Sequence, residues 1–191
     1  MNEIKITPVN FAMQAGIYLG LLGIIKLLLL TNSYVYAFVG LLYLLVALFF
    51  HYVVFIYARK FKNEVLEGDI SFFQAWNVSI LMYFFGSILT GAVEFIFYRF
   101  INPGFLSKYI SSTISAVHNF SVQIKDATVQ TFLSEIVSNL AKGGIPTPIE
   151  MVFGHIQNTV FSGLFISLII ASILFRKNKA NSINPSNDDT L

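Results

Sequence analysis

The sequence predicts an all-α membrane protein: a transmembrane four-helix bundle with one or two amphipathic helices in the long outer loop between spans three and four. Three observations predict it. Only 12% of the 191 residues are charged and 55% are hydrophobic, whereas a water-facing surface needs roughly a quarter or more of Lys, Arg, Glu and Asp. Mean hydropathy is +0.70, far too apolar for a disordered chain. Four stretches reach the roughly 20 apolar residues that one crossing of a bilayer takes. The length suits a single membrane domain over residues 1–178, with a disordered cytoplasmic tail at 179–191.

The first span runs from about Pro8 to Leu30 and contains one charge, Lys26. Thr7 before Pro8 reads as an N-cap followed by proline at the first helical position. The apolar run is longer than that of a cleaved leader and contains Lys26, so it reads as a span. The Thr31-Asn32-Ser33 link is short enough to force an antiparallel hairpin with the second span, about Tyr34 to Ala58. The third span, about Phe72 to Phe100, opens on a capping box at Ser71 and Gln74, with Ile70 placed to staple onto Ala75. Asn102-Pro103 ends it. The fourth, about Pro148 to Phe175, opens on Thr147-Pro148-Ile149-Glu150, which combines proline at N1 with glutamate at N3.

Between the third and fourth spans, residues 102–142 form the outer helical segment. Leu106, Tyr109, Ile110, Val117, Phe120 and Ile124 follow helical spacing, as do Val129, Phe132, Leu133, Ile136 and Leu140. This pattern predicts amphipathic helices lying on the outer leaflet or capping the bundle. Orientation follows from basic residues in the flanks. Lys5, then Arg59, Lys60 and Lys62, then Arg176, Lys177 and Lys179 gather on one side. The other side carries only Lys108, Lys125 and Lys142, spread thinly. Both termini are therefore expected in the cytoplasm.

Several short runs resemble a known family. They are Ile56-Tyr57-Ala58-Arg59-Lys60-Phe61, Glu67-Gly68-Asp69-Ile70-Ser71-Phe72-Phe73-Gln74-Ala75 and Tyr98-Arg99-Phe100-Ile101-Asn102-Pro103-Gly104. The fourth span from Gly163 to Leu174, with its basic exit, is another. Together they resemble the bacterial four-span integral membrane proteins of domain-of-unknown-function family 4199, over roughly residues 5–178. The element from Gly68 to Ala75 is the most specific part. The resemblance implies the fold above and a bacterial cytoplasmic (inner) membrane; it implies no activity and no catalytic residue.

A charge inside a span costs about 2.5–3.5 kcal/mol at the centre, so each one calls for a reason. Lys26, Glu94, Arg99, Glu150 and His155 should lie at similar depth near the outer ends of their spans. They form a candidate intramembrane polar cluster for a small polar ligand, a lipid headgroup or a proton. The plainer reading lets Lys26 and Arg99 snorkel to the interface. Glu150 then caps its helix, and Glu94 pairs with Lys26 or Arg99. His51 reads as a hydrogen-bonded packing residue, Trp76 as an interfacial anchor and Asn77 as a cross-helix donor. Ala12, Gly16 and Gly20, and likewise Gly163, Ser167 and Ala171, recur every four residues and mark close helix packing. The two stripes meet each other within one bundle, or one of them faces a second copy.

No cysteine is present, and three scattered histidines make no recognisable metal site. No cofactor is implied, and a net charge of +2 implies no nucleic acid. Catalytic motifs such as His-Glu-x-x-His, Gly-x-Ser-x-Gly and the phosphate loop are missing. The leading expectation is a non-enzymatic multi-pass protein acting as an interaction or lipid-associating component. The bilayer is its first partner, with a homo-oligomer or another membrane protein as a possible further one. The alternative is a small oligomeric transporter or channel working through Glu94 and Lys26. An intramembrane enzyme that uses Glu94, His155 and a serine such as Ser87 ranks below both.

Overall fold

Helix starts are set by local chemistry that the sequence announces. In the computed structural model, which describes residues 7–33 and 36–175, the Thr7 hydroxyl accepts from Asn10 N at 3.2 Å and opens α1, Pro8–Asn32. The Ser71 hydroxyl accepts from Gln74 N, and the Gln74 side chain accepts from Ser71 N. This reciprocal box opens α3, Phe72–Ile96. Thr147 and Glu150 form the same box at the start of α6, Pro148–Leu174. Ile70 and Ala75 are both buried in one apolar cluster across the start of α3.

Between these elements, α2 covers Ala37–Lys60. The segment between α3 and α6 folds as two helices, α4 (Phe105–Gln123) and α5 (Ala127–Gly143). Of their predicted apolar positions, Leu106 is buried, whereas Phe120, Val129 and Phe132 are exposed. Among the described residues there is no strand. Two helices run on into a π turn, α2 through Phe61–Val65 and α3 through Phe97–Ile101. The second span therefore extends past its predicted end at Ala58. Its predicted start at Tyr34, the basic residues Lys5, Arg176, Lys177 and Lys179, and the tail at 179–191 lie outside the described residues.

Four helical stretches, Pro8–Asn32, Phe38–Val65, Phe72–Ile101 and Pro148–Leu174, are long and apolar enough to cross a membrane. At about 1.5 Å of rise per residue, even the shortest of them exceeds a hydrocarbon core of roughly 30 Å. Their outward surfaces suit lipid: Leu44, Leu48, Phe49, Phe161, Phe165 and Ile169 are all exposed. α3 is the hub. It packs against α1 on one side and α6 on the other, while α2 packs chiefly on α1.

Small residues make those contacts possible. A Cβ on Gly16 would lie 2.6 Å from Phe85 Cβ, and one on Gly20 would lie 2.5 Å from Leu89. A Cβ on Gly163 would lie 2.6 Å from the Tyr83 ring. These glycines of the two stripes therefore press on α3 rather than on each other. Ala12, Ser167 and Ala171 are fully buried. The reason is geometric: α1 and α6 are separated by α3, whose own Gly86 and Gly91 thin it on the two sides. Thr90 fastens the α1–α3 seam, donating to Gly86 O at 3.0 Å and to Gly20 O at 3.3 Å.

Candidate functional site

Five polar residues of α3 share one buried face. Ser79, Ser87, Thr90 and Glu94 are all buried, and Tyr83 between them is fully so. Their spacing of three and four residues keeps them on one side of the helix. Glu94 ends this row near the C-terminus of α3, and His155 comes from the second turn of α6. The two meet: His155 Nδ1 lies 3.2 Å from Glu94 Oε1. The second ring nitrogen, Nε2, faces Thr159 Oγ1 at 3.4 Å. A neutral imidazole protonated on Nδ1 satisfies both contacts, donating to Glu94 and accepting from Thr159.

The pair borders a cavity of about 340 Å³. α1 contributes Leu30 to its wall, α2 contributes Tyr43, the π turn after α3 contributes Tyr98, and α6 contributes Gly154 and Asn158. The start of α4 closes one side with an aromatic wall. Tyr98 and Phe105 stack at 5.8 Å with an 11° interplanar angle, and Phe105 and Tyr109 stack at 6.0 Å with 18°. Glu150 also lines the cavity. Its Oε2 accepts from Thr147 N at 2.7 Å and from Thr147 Oγ1 at 2.9 Å, so it caps α6 and remains exposed.

The structure thus brings three of the five predicted cluster residues, Glu94, Glu150 and His155, to one cavity. Arg99 is exposed in the π turn and takes no part in it. Lys26 departs from both expectations for it. Among the described residues, no ion pair within 4.0 Å joins it to Glu94. Its ammonium instead packs over the rings of Tyr43 at 5.8 Å and Phe50 at 5.2 Å. Cation–π contact of this kind replaces part of the lost hydration. Phe50 is itself buried, so Lys26 turns into the helix packing rather than snorkelling to an interface.

His51 hydrogen-bonds to the Tyr83 hydroxyl at 2.9 Å, a link from α2 to α3. Trp76 is not simply an interfacial anchor: its indole donates to Leu164 O on α6 at 3.3 Å. Asn77 is exposed and makes no cross-helix hydrogen bond among the described residues. Lys62 adds a contact that sequence reasoning missed, donating to Leu174 O at 2.8 Å and capping the C-terminal end of α6.

The cavity-lining Tyr43, Tyr98, Gly154 and Asn158 were also missed. Their signal was present as four-residue spacing, Glu94 to Tyr98 and Glu150 to Gly154 to Asn158, which sets each group along one helix face. Among the described residues no group of three or more His, Cys, Asp and Glu could hold a metal ion.

Neither the curated proteins nor the solved structures contain a match to the chain. A family model described as a protein of unknown function, DUF4199, matches residues 14–176, and by that coverage the chain belongs to this family.

Proposed function

We propose that this chain is a non-enzymatic, lipid-associating protein of the bacterial cytoplasmic membrane, and that the Glu94–His155 cavity receives the headgroup of a lipid. The observation that carries the reading is a carboxylate only 6% exposed, placed on the wall of a cavity large enough for a ligand. A buried intramembrane acid is costly and marks a site by default. The volume falls at the small end of ligand pockets, which run from about 300 Å³ upward.

Orientation supports the outer leaflet as the source. Arg59, Lys60 and Lys62 lie at the opposite end of the spans from Glu94 and His155, and basic flanks favour the cytoplasm. Both termini are then cytoplasmic, and α4 and α5 lie on or over the outer leaflet with apolar side chains such as Phe120 and Phe132 toward it.

Native mass spectrometry of the full chain released from a mild lipid environment tests the reading. Gly154 supplies the variant: it lines the cavity, and a Cβ there meets nothing within 4 Å. Gly154→Leu should fold, because leucine outranks glycine in helices by roughly 1 kcal/mol, and should fill the space. The expected result is a stoichiometric lipid on the natural chain and its loss from Gly154→Leu. Equal lipid retention by the two proteins contradicts the proposal.

A second reading, a small oligomeric transporter, draws on Lys26, a half-buried charge within a span, held against the Tyr43 and Phe50 rings. Against it stand the small number of spans and the continuous helices, which lack matched half-helix breaks. A homo-oligomer that retains no lipid in the same spectrum favours this second reading over the first.

A further inference from the structure

The end of the spans opposite Glu94 carries a groove of about 430 Å³. Phe55 and Arg59 of α2, Lys62 and Asn63 of the π turn that continues it, and Ile173 and Leu174 at the end of α6 line it. The first four recur at i, i+4, i+7 and i+8, the spacing that keeps side chains along one helix face.

The charge of this groove is positive. Arg59 and Lys62 line it, and no aspartate or glutamate does. Lys62 is anchored: its ammonium donates to Leu174 O at 2.8 Å, which spends one N–H and leaves the others free. Arg59 is exposed, and among the described residues its guanidinium has no hydrogen bond and no ion pair. The neighbouring acids stand outside the groove. Glu64 pairs with Lys60 at 3.7 Å. Glu67 and Asp69 flank Gly68 in the chain, yet only Gly68 lines the wall.

Basic residues at one end of a set of spans are ordinary by themselves. These two differ in sitting in a concavity, with one of them fixed in place, beside the apolar Phe55 and the exposed Ile173. A guanidinium fork matches two phosphate oxygens, and an ammonium adds a point charge to the same group. The Asn63 amide adds a neutral donor. Basic pockets between spans suit anionic headgroups, and acyl chains attached to such a group would run along Phe55 and Ile173.

We infer that this groove binds an anionic phosphate group on Arg59, Lys62 and Asn63. The phosphate has two sources, the headgroup of an anionic phospholipid in the adjoining leaflet or free phosphate in solution. The inference does not rest on the Glu94–His155 cavity, which lies at the other end of the spans.

The test uses the full chain carrying Gly154→Leu, so that the Glu94–His155 cavity adds no lipid. The protein is placed in vesicles of phosphatidylglycerol and phosphatidylcholine in equal amounts, and native mass spectrometry weighs the retained lipid. Phosphatidylglycerol should exceed phosphatidylcholine by about tenfold or more. Arg59→Gln should lower that ratio about fivefold, the effect of one basic residue near a membrane surface. Lys60→Gln removes the same charge from the next position, outside the groove, and should leave the ratio unchanged. In vesicles of phosphatidylcholine alone, millimolar inorganic phosphate should bind by calorimetry if the source is soluble, and Arg59→Gln should weaken that binding.

Phosphate binding without a lipid preference keeps the inference and assigns the source to solution. A ratio near one together with no phosphate binding overturns it. So does a ratio that Arg59→Gln leaves unchanged, or that Lys60→Gln lowers as far, because the selectivity would then belong to charge spread over this end of the bundle.

Discussion

At the scale of single residues, two pairs of polar side chains inside the spans cross between helices. Glu94 takes His155 and His51 takes Tyr83, the first joining α3 to α6 and the second α2 to α3. The sequence marks each of these residues as unusual, because an ionisable group in a span demands a partner. It does not name the partner. Glu94 and His155 lie 61 positions apart, and only the rotation of α3 against α6 decides whether they meet. Lys26 and Arg99 were equally plausible by depth, and both turn away. The His51–Tyr83 bond gives a direct test of this scale. Tyr83→Phe removes the hydroxyl and leaves His51 Nδ1 without its partner. Cross-helix hydrogen bonds in membranes average about 0.6 kcal/mol and reach about 1.7. Unfolding in mixed micelles should show a loss of about 1 kcal/mol, with lipid retention intact because neither residue lines the cavity. An unchanged stability would mean that the bond carries no weight.

At the scale of elements, the small-residue stripes determine which helices touch. Lipid tails are as apolar as leucine, so span association depends on close packing rather than on the hydrophobic effect. The stripes were legible as glycine and alanine at four-residue intervals. Their common target was not, because the matching features of α3, Gly86 and Gly91, lie five residues apart and break the four-residue interval. The caps were fully legible, since Thr7, Ser71 and Thr147 act within three residues of themselves. The π turns were not, as nothing local distinguishes Phe61–Val65 or Phe97–Ile101 from ordinary helix. Gly16→Val measures the α1–α3 seam. Its new side chain meets Phe85 Cβ at 2.6 Å and the backbone of Gly86 at 3.2 Å, and backbone cannot yield as a side-chain tip can. The expected loss is about 1–3 kcal/mol in the same unfolding assay. Gly40→Ala, whose nearest neighbour is 4.0 Å away, should cost nothing or stabilise slightly.

At the scale of the whole molecule, composition and span length were enough to read an all-helical membrane protein, because the bilayer allows few solutions. The cavity was not legible as a cavity. It arises where the ends of α1, α2, α3 and α6 part and the start of α4 leans across them, and spacing along one helix does not report that. Its chemistry depends on orientation: a headgroup of the outer leaflet reaches Glu94 only if α4 and α5 are outside. The chain has no cysteine, so a single introduced thiol reports its own side without background. Lys125 lies exposed in the α4–α5 link, and Asp69 lies exposed in the link between α2 and α3. The most direct measurement is labelling of Lys125→Cys and Asp69→Cys in intact cells with a maleimide that cannot cross the membrane. The account predicts that Lys125→Cys reacts at once and Asp69→Cys only after the membrane is opened; the reverse pattern would place the cavity on the cytoplasmic side and contradict it.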